Sequence, residues 1–405
     1  AKEKYHGTSA TSEVREFRIR MGMELDLMNL WFGKTADYFK QFISDQTIGM
    51  ARINRFDFTT LPINLLYLLY YEYRRNEKES LNFSFFEYGK NSNGNPDDDR
   101  WEMYLELQEM YAILQRWYND KELYHYLGFL FFNFKAQTPF RDIYTQWKAL
   151  NSRDKFLKDI QHTIATRMLD RYLEETEKAA PDYQKCLKTM TEAISDFREN
   201  WYNNDKELYQ ILILLDIFRI LDSKSIKKLP TDYFTRKSGQ KDGEDKEHIL
   251  SQTPRKDNGE IATIKTDWEK FVQSEDFKDI RSQMQEILNH SDAELTEQEL
   301  TQLQNLLNSA GLNSIGNMVL LDLRINRSYG NADYAHKRTI IFQEYMNQKY
   351  VRPHTLAVFM KGDIDAREAT GIPLNRWTLE DIKRNTDKIA KEIGKNFNAW
   401  LTQNN

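Results

Sequence analysis

The chain has 405 residues, of which 29% are charged and 13% aromatic, and its formal net charge is −5. This length exceeds what one hydrophobic core normally serves, so two or more domains are expected. The single cysteine, Cys186, excludes a disulfide framework and a thiolate zinc cluster and indicates a reducing compartment. No stretch reaches the ~18 apolar residues of a membrane span, and no apolar signal region opens the chain, so a cytoplasmic protein is expected.

Apolar residues at helical spacing dominate the first 221 residues. The pattern predicts a long helix over 13–48 and a nearly all-apolar one over 63–73, with a Gly/Asn/Asp-rich loop between 88 and 99. Further helices are predicted in order at 100–119, 121–134, 140–149, 151–176, 181–202 and 206–221. These elements predict an N-terminal helical domain that covers residues 1–221.

The composition changes at residue 222, where a polar segment rich in Lys, Gly and Ser indicates a linker or long surface loop. A short β-like stretch (HIL, 248–250), a β-rich run (318–325), a helix at 331–348 and a C-terminal helix at 379–402 follow. We therefore expect a mainly α protein with a small α+β domain over 222–405. Its core is predicted at 245–254 and 314–362, separated by a helical insert at 261–313.

The stretch KEHILSQ (246–252) sets a carboxylate, Glu247, next to an imidazole, His248. Downstream, Asn317 ends the Ile-Gly-Asn of SIGN, and Asn326 follows nine residues later, after the predicted strand. A carboxylate and an amide oxygen can share one hard divalent cation, and a neighbouring imidazole can then deprotonate a water. Taken separately, each motif is more typical of an ordinary strand or of Asn at a turn.

In this order and spacing, the motifs resemble the HNH, or His-metal finger, nucleases. They are more closely similar to the C-terminal region of the GmrSD-type modification-dependent (type IV) DNA restriction endonucleases and related phage-defence proteins. That family reads Glu-His-Ile-x-Pro-Gln, then Ile-Gly-Asn-Leu-x-Leu-Leu. The likeness continues in YVRPHTLAVFMKG and upstream in WYNDKELYHYLGFL, so it covers the helical middle as well as the nuclease domain.

Two features depart from the family pattern. Ser251 stands where the family has proline. The Asp-Gly-x-Gln-Arg motif of the family's N-terminal nucleotide-hydrolysing domain does not occur in the sequence. We therefore expect that domain on a partner subunit or on a preceding part of a longer protein.

The resemblance implies a ββα-metal fold and a role for each matching residue. His248 is the expected general base, and Asn317 is expected to fix the loop that orients it. Glu247 and Asn326 are the expected ligands of a divalent metal, Mg²⁺ or Mn²⁺. Two residues are secondary candidates for ligand support and phosphate contact: Asn331 and Lys337.

The charge distribution is uneven along the C-terminal half. Residues 317–362 carry seven basic and three acidic side chains, whereas 261–313 carry ten acidic and four basic ones. A local basic face can bind phosphate whatever the global charge, although a solvated charged face accounts for the same composition. The candidates for DNA contact are Arg324, Arg327, Arg338 and Arg352.

The sequence thus predicts a metal-dependent DNA endonuclease, nicking or cutting both strands, that forms the nuclease part of a phage-restriction system. The alternative is a non-cleaving helical protein that binds DNA or a partner through a degenerate nuclease domain. Ser251 mildly favours the alternative, whereas the presence of both Glu247 and Asn326 argues against it. RNA is also open as a substrate, since its phosphorus chemistry is the same.

Overall fold

A computed structural model describes residues 12–54, 56–75, 81, 96–224, 227–235, 243–251, 253–254, 260–273, 277–278, 280–325, 333–361 and 374–402. The chain packs as two compact units, residues 1–161 and 162–405. The predicted boundary after residue 221 stays a prediction, because this division reports packing and not independent folding.

The first unit is helical in its described elements. Its helices are α1 (Ser12–Phe39), α2 (Asp45–Ile53), α3 (Asn64–Arg74), α4 (Pro96–Asn119), α5 (Lys121–Asn133), α6 (Phe140–Leu150) and α7 (Arg153–Leu169), the last of which contains the division. Stacked aromatic rings fill the core, as in the pairs Phe42–Phe131 and Trp117–Phe156, with centroids 3.8 and 5.5 Å apart.

The single helix predicted over 13–48 is wrong, because the chain breaks between α1 and α2. Ile43 is extended, and the Ser44 hydroxyl accepts a hydrogen bond from the Thr47 amide to cap α2. The same hydroxyl donates to the buried Glu72 at 2.5 Å. A serine with such partners starts a new helix even where apolar spacing continues.

In its described residues, the second unit combines helices with a two-stranded sheet. Its elements are α8 (Tyr183–Ser195), α9 (Asp205–Asp222), β1 (Glu244–His248), α10 (Lys265–Val272), α11 (Arg281–Asn289), α12 (Glu297–Ser309), β2 (Met318–Asp322), α13 (Tyr334–Met346), α14 (Pro353–Met360) and α15 (Leu379–Thr402). The mainly helical class is confirmed, and α10 to α12 lie within residues 261–313, for which the sequence predicts a helical insert. No helix in the described part of the chain is long and apolar enough to cross a membrane.

The two strands pair antiparallel, with Glu244 opposite Asp322 and His248 opposite Met318. The predicted HIL strand is therefore shifted, since β1 ends at His248. Ile249 and Leu250 follow the strand and are buried in the core of this unit. Burial after a strand, and not extended pairing, accounts for their apolar character.

A buried arginine connects β1, α9 and the start of α14. Arg352 donates two hydrogen bonds to Glu244, at 2.8 and 2.6 Å, and a third to Asp216 at 2.7 Å. Asp216 also accepts from the His354 amide at 2.7 Å and so caps α14, whose first residue is Pro353. Burial works to lower the pKa of Arg352, but Glu244 and Asp216 outweigh it and raise that pKa. Burial raises the pKa of Asp216 despite the adjacent guanidinium.

The segment before β2 lies directly on α15. A Cβ at Gly316 would lie 2.2 Å from the carbonyl oxygen of Ile382 and 2.3 Å from Oγ1 of Thr386. Asn385 of the same helix donates from Nδ2 to the Gly316 carbonyl at 2.9 Å. Only glycine allows this approach, which fixes the position of the next residue, Asn317.

Candidate active site

Asn317 holds the chain that follows β1. Its Nδ2 donates to the carbonyls of Leu250 and Leu312 at 3.0 and 2.9 Å, and its Oδ1 accepts from the Leu250 amide at 2.8 Å. Its own carbonyl accepts from the Ile249 amide at 2.9 Å. The side chain is fully buried, so these bonds are shielded from water. This geometry supports the predicted role of Asn317 in fixing the loop beside His248.

Among the described residues, Asn313 and Tyr202 contact the His248 imidazole. Its Nε2 lies 2.9 Å from Oδ1 of Asn313, and its ring stacks on Tyr202 with centroids 4.8 Å apart and 21° between the planes. Asn313 donates in turn from Nδ2 to Oδ1 of Asn308 at 2.6 Å. Because the Asn313 oxygen can only accept, this hydrogen bond places a proton on Nε2. His248 is 9% exposed.

The Glu247 carboxylate is paired with Lys337. Lys337 Nζ lies 3.0 Å from Glu247 Oε1 and also donates to the His248 carbonyl at 2.7 Å. The Lys337 side chain is fully buried, whereas Glu247 is 18% exposed. Burial lowers the pKa of Lys337, and Glu247 opposes that effect. This position suits support of the Glu247–His248 backbone and carboxylate, and it gives Lys337 no exposed surface for a phosphate.

The two adjacent side chains do not share one face of the strand. Successive residues of a β-strand point to opposite sides. In agreement, Glu247 contacts α13 through Lys337, whereas the His248 ring contacts Tyr202 and Asn313. Because β1 ends at His248, a substrate that meets both groups has to lie at the end of the strand.

The expected metal site is only partly described. Asn326 and Asn331 lie outside the described residues, so their distance from Glu247 is not defined. Among the described side chains, no three His, Cys, Asp or Glu residues form a group that could hold a metal ion. Glu247 supplies the carboxylate oxygen that Mg²⁺ and Mn²⁺ prefer. It is suited to be one ligand of such an ion, but the described residues do not supply the other ligands.

The arginines predicted to contact DNA lie in different environments. Arg324 is exposed, with Nε 3.6 Å from Oδ1 of Asp322. Arg338 is half-buried and donates to the Phe359 carbonyl at 2.9 Å, and Arg327 lies outside the described residues. Arg352 is buried among its carboxylates. Burial withdraws Arg352 from any DNA-facing surface, so we assign it a structural role instead.

Two residues beside the candidate base were absent from the sequence-based prediction: Asn313 and Tyr202. Asn313 precedes the Ile-Gly-Asn motif by only a few positions, and a search for polar residues flanking that motif would have included it. Tyr202 has no comparable signal, because its contact with His248 depends on how β1 packs against the segment that precedes α9.

Residues 191–392 match the family model described as GmrSD restriction endonucleases, C-terminal domain. The matched range contains β1, β2 and every candidate site residue. No curated protein and no solved structure matches the chain in the corresponding comparisons.

Proposed function

Through residues 191–392 the chain belongs to the GmrSD restriction endonuclease family, and we propose that it cleaves DNA as a metal-dependent, HNH-type endonuclease. The observation that carries this proposal is the hydrogen bonding of Asn317 to the loop after His248. That bonding joins the two halves of the motif, which lie far apart in sequence, at the end of β1.

Each described residue has a distinct part in the proposed reaction. His248 takes a proton from the water that attacks the scissile phosphate, while Asn313 orients the imidazole through Nε2. Glu247, with Asn326, would hold the divalent ion. When bound, that ion supplies charge stabilisation to the phosphate and the leaving oxygen. Lys337 holds Glu247 and the His248 carbonyl in fixed relation.

Plasmid nicking in the presence of Mg²⁺ or Mn²⁺ tests the assignment of the base. The His248→Ala variant should lose about 100-fold or more of the cleavage rate, the range typical of a missing general base. His290→Ala is the matched control, because His290 is exposed at the end of α11, and it should cut like the wild type. Cleavage by His248→Ala at the wild-type rate, with unchanged circular dichroism, would remove His248 from the mechanism.

A non-cleaving DNA- or partner-binding role is the second candidate. Two observations favour this role: Glu247 is paired with a buried lysine, and His248 is only 9% exposed. Both leave little room for a metal ion or a substrate at these side chains. Mn²⁺ titration distinguishes the two functions. A metal site raises the melting temperature of the wild type by mass action and leaves Glu247→Gln unchanged. An equal lack of response in both proteins, with DNA binding retained, favours the non-cleaving role.

The wider role follows from the family. As the nuclease part of a phage-restriction system, the chain would act on DNA under the control of a nucleotide-hydrolysing domain or subunit. Parallel assays with RNA of the same sequence establish which nucleic acid is the substrate.

A further inference from the structure

Helix α12 of the helical insert ends in a turn that leads to the candidate base. The Leu312 amide donates to the Leu307 carbonyl at 3.2 Å, and the Gly311 amide donates to the Asn308 carbonyl at 2.9 Å, which together form a Schellman motif. Gly311 has a φ of +86°, in the left-handed region that glycine adopts without strain. The turn ends α12 and places the side chain of Asn313 against that of Asn308.

Packing holds this turn in place. A Cβ at Gly311 would lie 2.2 Å from Cζ of Phe197, so the aromatic ring lies directly against the glycine. The Trp201 amide donates to the Asn313 carbonyl at 2.9 Å. The main chain of Asn313 is therefore held, and what its side chain presents to His248 depends on how its amide group is rotated.

The side chains of Asn308, Asn313 and His248 form a directional series of hydrogen bonds. Asn313 donates from Nδ2 to Oδ1 of Asn308 at 2.6 Å, and its own Oδ1 lies 2.9 Å from Nε2 of His248. Rotating the Asn313 amide by half a turn would set its oxygen against the Asn308 oxygen and its NH₂ group against Nε2–H. Both contacts would be repulsive at a buried position. The oxygen of Asn308 therefore selects the orientation of Asn313.

We propose that Asn308 is a positioning residue for the general base. By accepting from Nδ2 of Asn313 it keeps Oδ1 of that residue directed at His248, and this holds a proton on Nε2 of the neutral imidazole. The role rests on the proposed nuclease function, in which the imidazole takes a proton from water. The helical insert thereby contributes to a site whose catalytic and metal-binding candidates all lie outside it.

Without the Asn308 side chain, both orientations of Asn313 satisfy His248. In one orientation Oδ1 accepts from Nε2–H. In the other, Nδ2 donates to an unprotonated Nε2, and the ring proton moves to Nδ1. The ring would then populate both tautomers. Only one tautomer suits a base held at a fixed position, because the two nitrogens lie on different edges of the ring.

NMR of the full chain, labelled with ¹⁵N at histidine, measures the tautomer without requiring catalysis. A protonated ring nitrogen and one with a lone pair differ widely in ¹⁵N shift, and the spectra are recorded at alkaline pH, where imidazoles are neutral. The His248→Gln variant assigns the His248 signals by their loss. The wild type should show a protonated Nε2. In Asn308→Ala the Nε2 shift should move toward that of an unprotonated nitrogen.

Two further variants distinguish positioning from a general effect on the fold. Asn308→Asp keeps an acceptor oxygen for Nδ2 of Asn313, so its Nε2 shift should remain at the wild-type value. Asn305→Ala is the matched control, because Asn305 is exposed about one turn earlier in α12, and it should also leave the shift unchanged. Alanine favours helix, so the circular dichroism of both alanine variants should match that of the wild type.

Plasmid cleavage then connects the tautomer with the reaction. Asn308→Ala should lower kcat by roughly 10-fold, a part of the ~10²–10⁴ that a general base contributes, with KM unchanged. Asn308→Asp should cut at close to the wild-type rate.

The outcomes separate this proposal from the nuclease function. An Nε2 shift that is the same in Asn308→Ala and in the wild type overturns the proposal at any cleavage rate, as does a changed shift in Asn308→Asp. A changed tautomer with an unchanged kcat overturns the role of Asn308 in catalysis. A wild type that shows the expected shifts but cleaves no DNA contradicts the nuclease function and supports the hydrogen-bonded series itself.

Discussion

Replacing Asn317 by Asp exchanges the side-chain NH₂ group for an oxygen in a fully buried side chain. In the Asn317→Asp variant, the oxygen that accepts from the Leu250 amide remains. The amide group that donates to the carbonyls of Leu250 and Leu312 is lost. Both carbonyls then face a carboxylate oxygen, which repels them.

The expected cost follows from those two bonds. A buried hydrogen bond contributes about 1 kcal/mol net, and each carbonyl left unsatisfied costs about 1–3 kcal/mol. We therefore expect Asn317→Asp to lower the free energy of unfolding by about 4 kcal/mol. For a unit of this size that corresponds to a fall of roughly 8–16 °C in melting temperature.

The loss should also depend on pH. In the unfolded variant the new carboxyl ionises near its ordinary value of about 4. In the folded variant burial favours the protonated form, which can donate one of the two lost hydrogen bonds. A pKa raised by folding stabilises the protein at low pH, and that contribution disappears as pH rises. The deficit relative to wild type should therefore grow between acid and neutral pH.

Urea denaturation monitored by circular dichroism at several pH values measures both the loss of stability and its dependence on pH. Asn398→Asp is the matched control, because it makes the same chemical change at an exposed position of α15, and it should change stability by less than about 0.5 kcal/mol. Equal stability of the two variants, or a deficit that does not vary with pH, would refute the role assigned to Asn317.

Four further substitutions test described contacts. Gly316→Ala should cost about 2–3 kcal/mol in a thermal melt, since its Cβ would overlap the α15 backbone. Gly394→Ala, whose Cβ would meet only a threonine methyl at 3.1 Å, should change stability by less than about 1 kcal/mol. Asn313→Asp should move the acidic limb of the pH–rate profile upward, because a carboxylate stabilises the protonated form of His248; an unmoved limb contradicts the contact. Burial lowers the pKa of Lys337, so wild-type stability should rise with pH just below the ordinary lysine value. Lys337→Met should lose that rise in urea titrations across alkaline pH.

Most helices could be predicted because their signals are local. The apolar spacing of 206–221 and the C-terminal pattern of 379–402 agree with α9 and α15 within a residue. β1 could not be found in this way, because Glu-Asp-Lys-Glu-His has neither alternation nor strong β-propensity. It is extended because β2, about seventy residues later, pairs with it.

In the candidate site, too, the sequence predicted what local motifs specify and missed what depends on distant contacts. Motif order located Glu247, His248 and Asn317, and the structure connects the latter two through the loop after β1. Motif order could not show that Lys337 and Arg352 are buried, because their burial depends on carboxylates 90 or more residues away in the chain. A basic residue has the same appearance in a sequence whether it faces DNA or an internal acid.

The buried Arg352 cluster also limits how the protein can be dissected. A fragment that starts at the polar segment after residue 222 would retain Arg352 and Glu244 but lose Asp216 with α9. The His354 amide at the start of α14 would lose its cap, and Arg352 would lose one of its two countercharges. Truncating one partner of a buried ion pair costs about 3–5 kcal/mol. The polar segment is thus a misleading place to cut, and a nuclease fragment intended to fold by itself should begin upstream of α9.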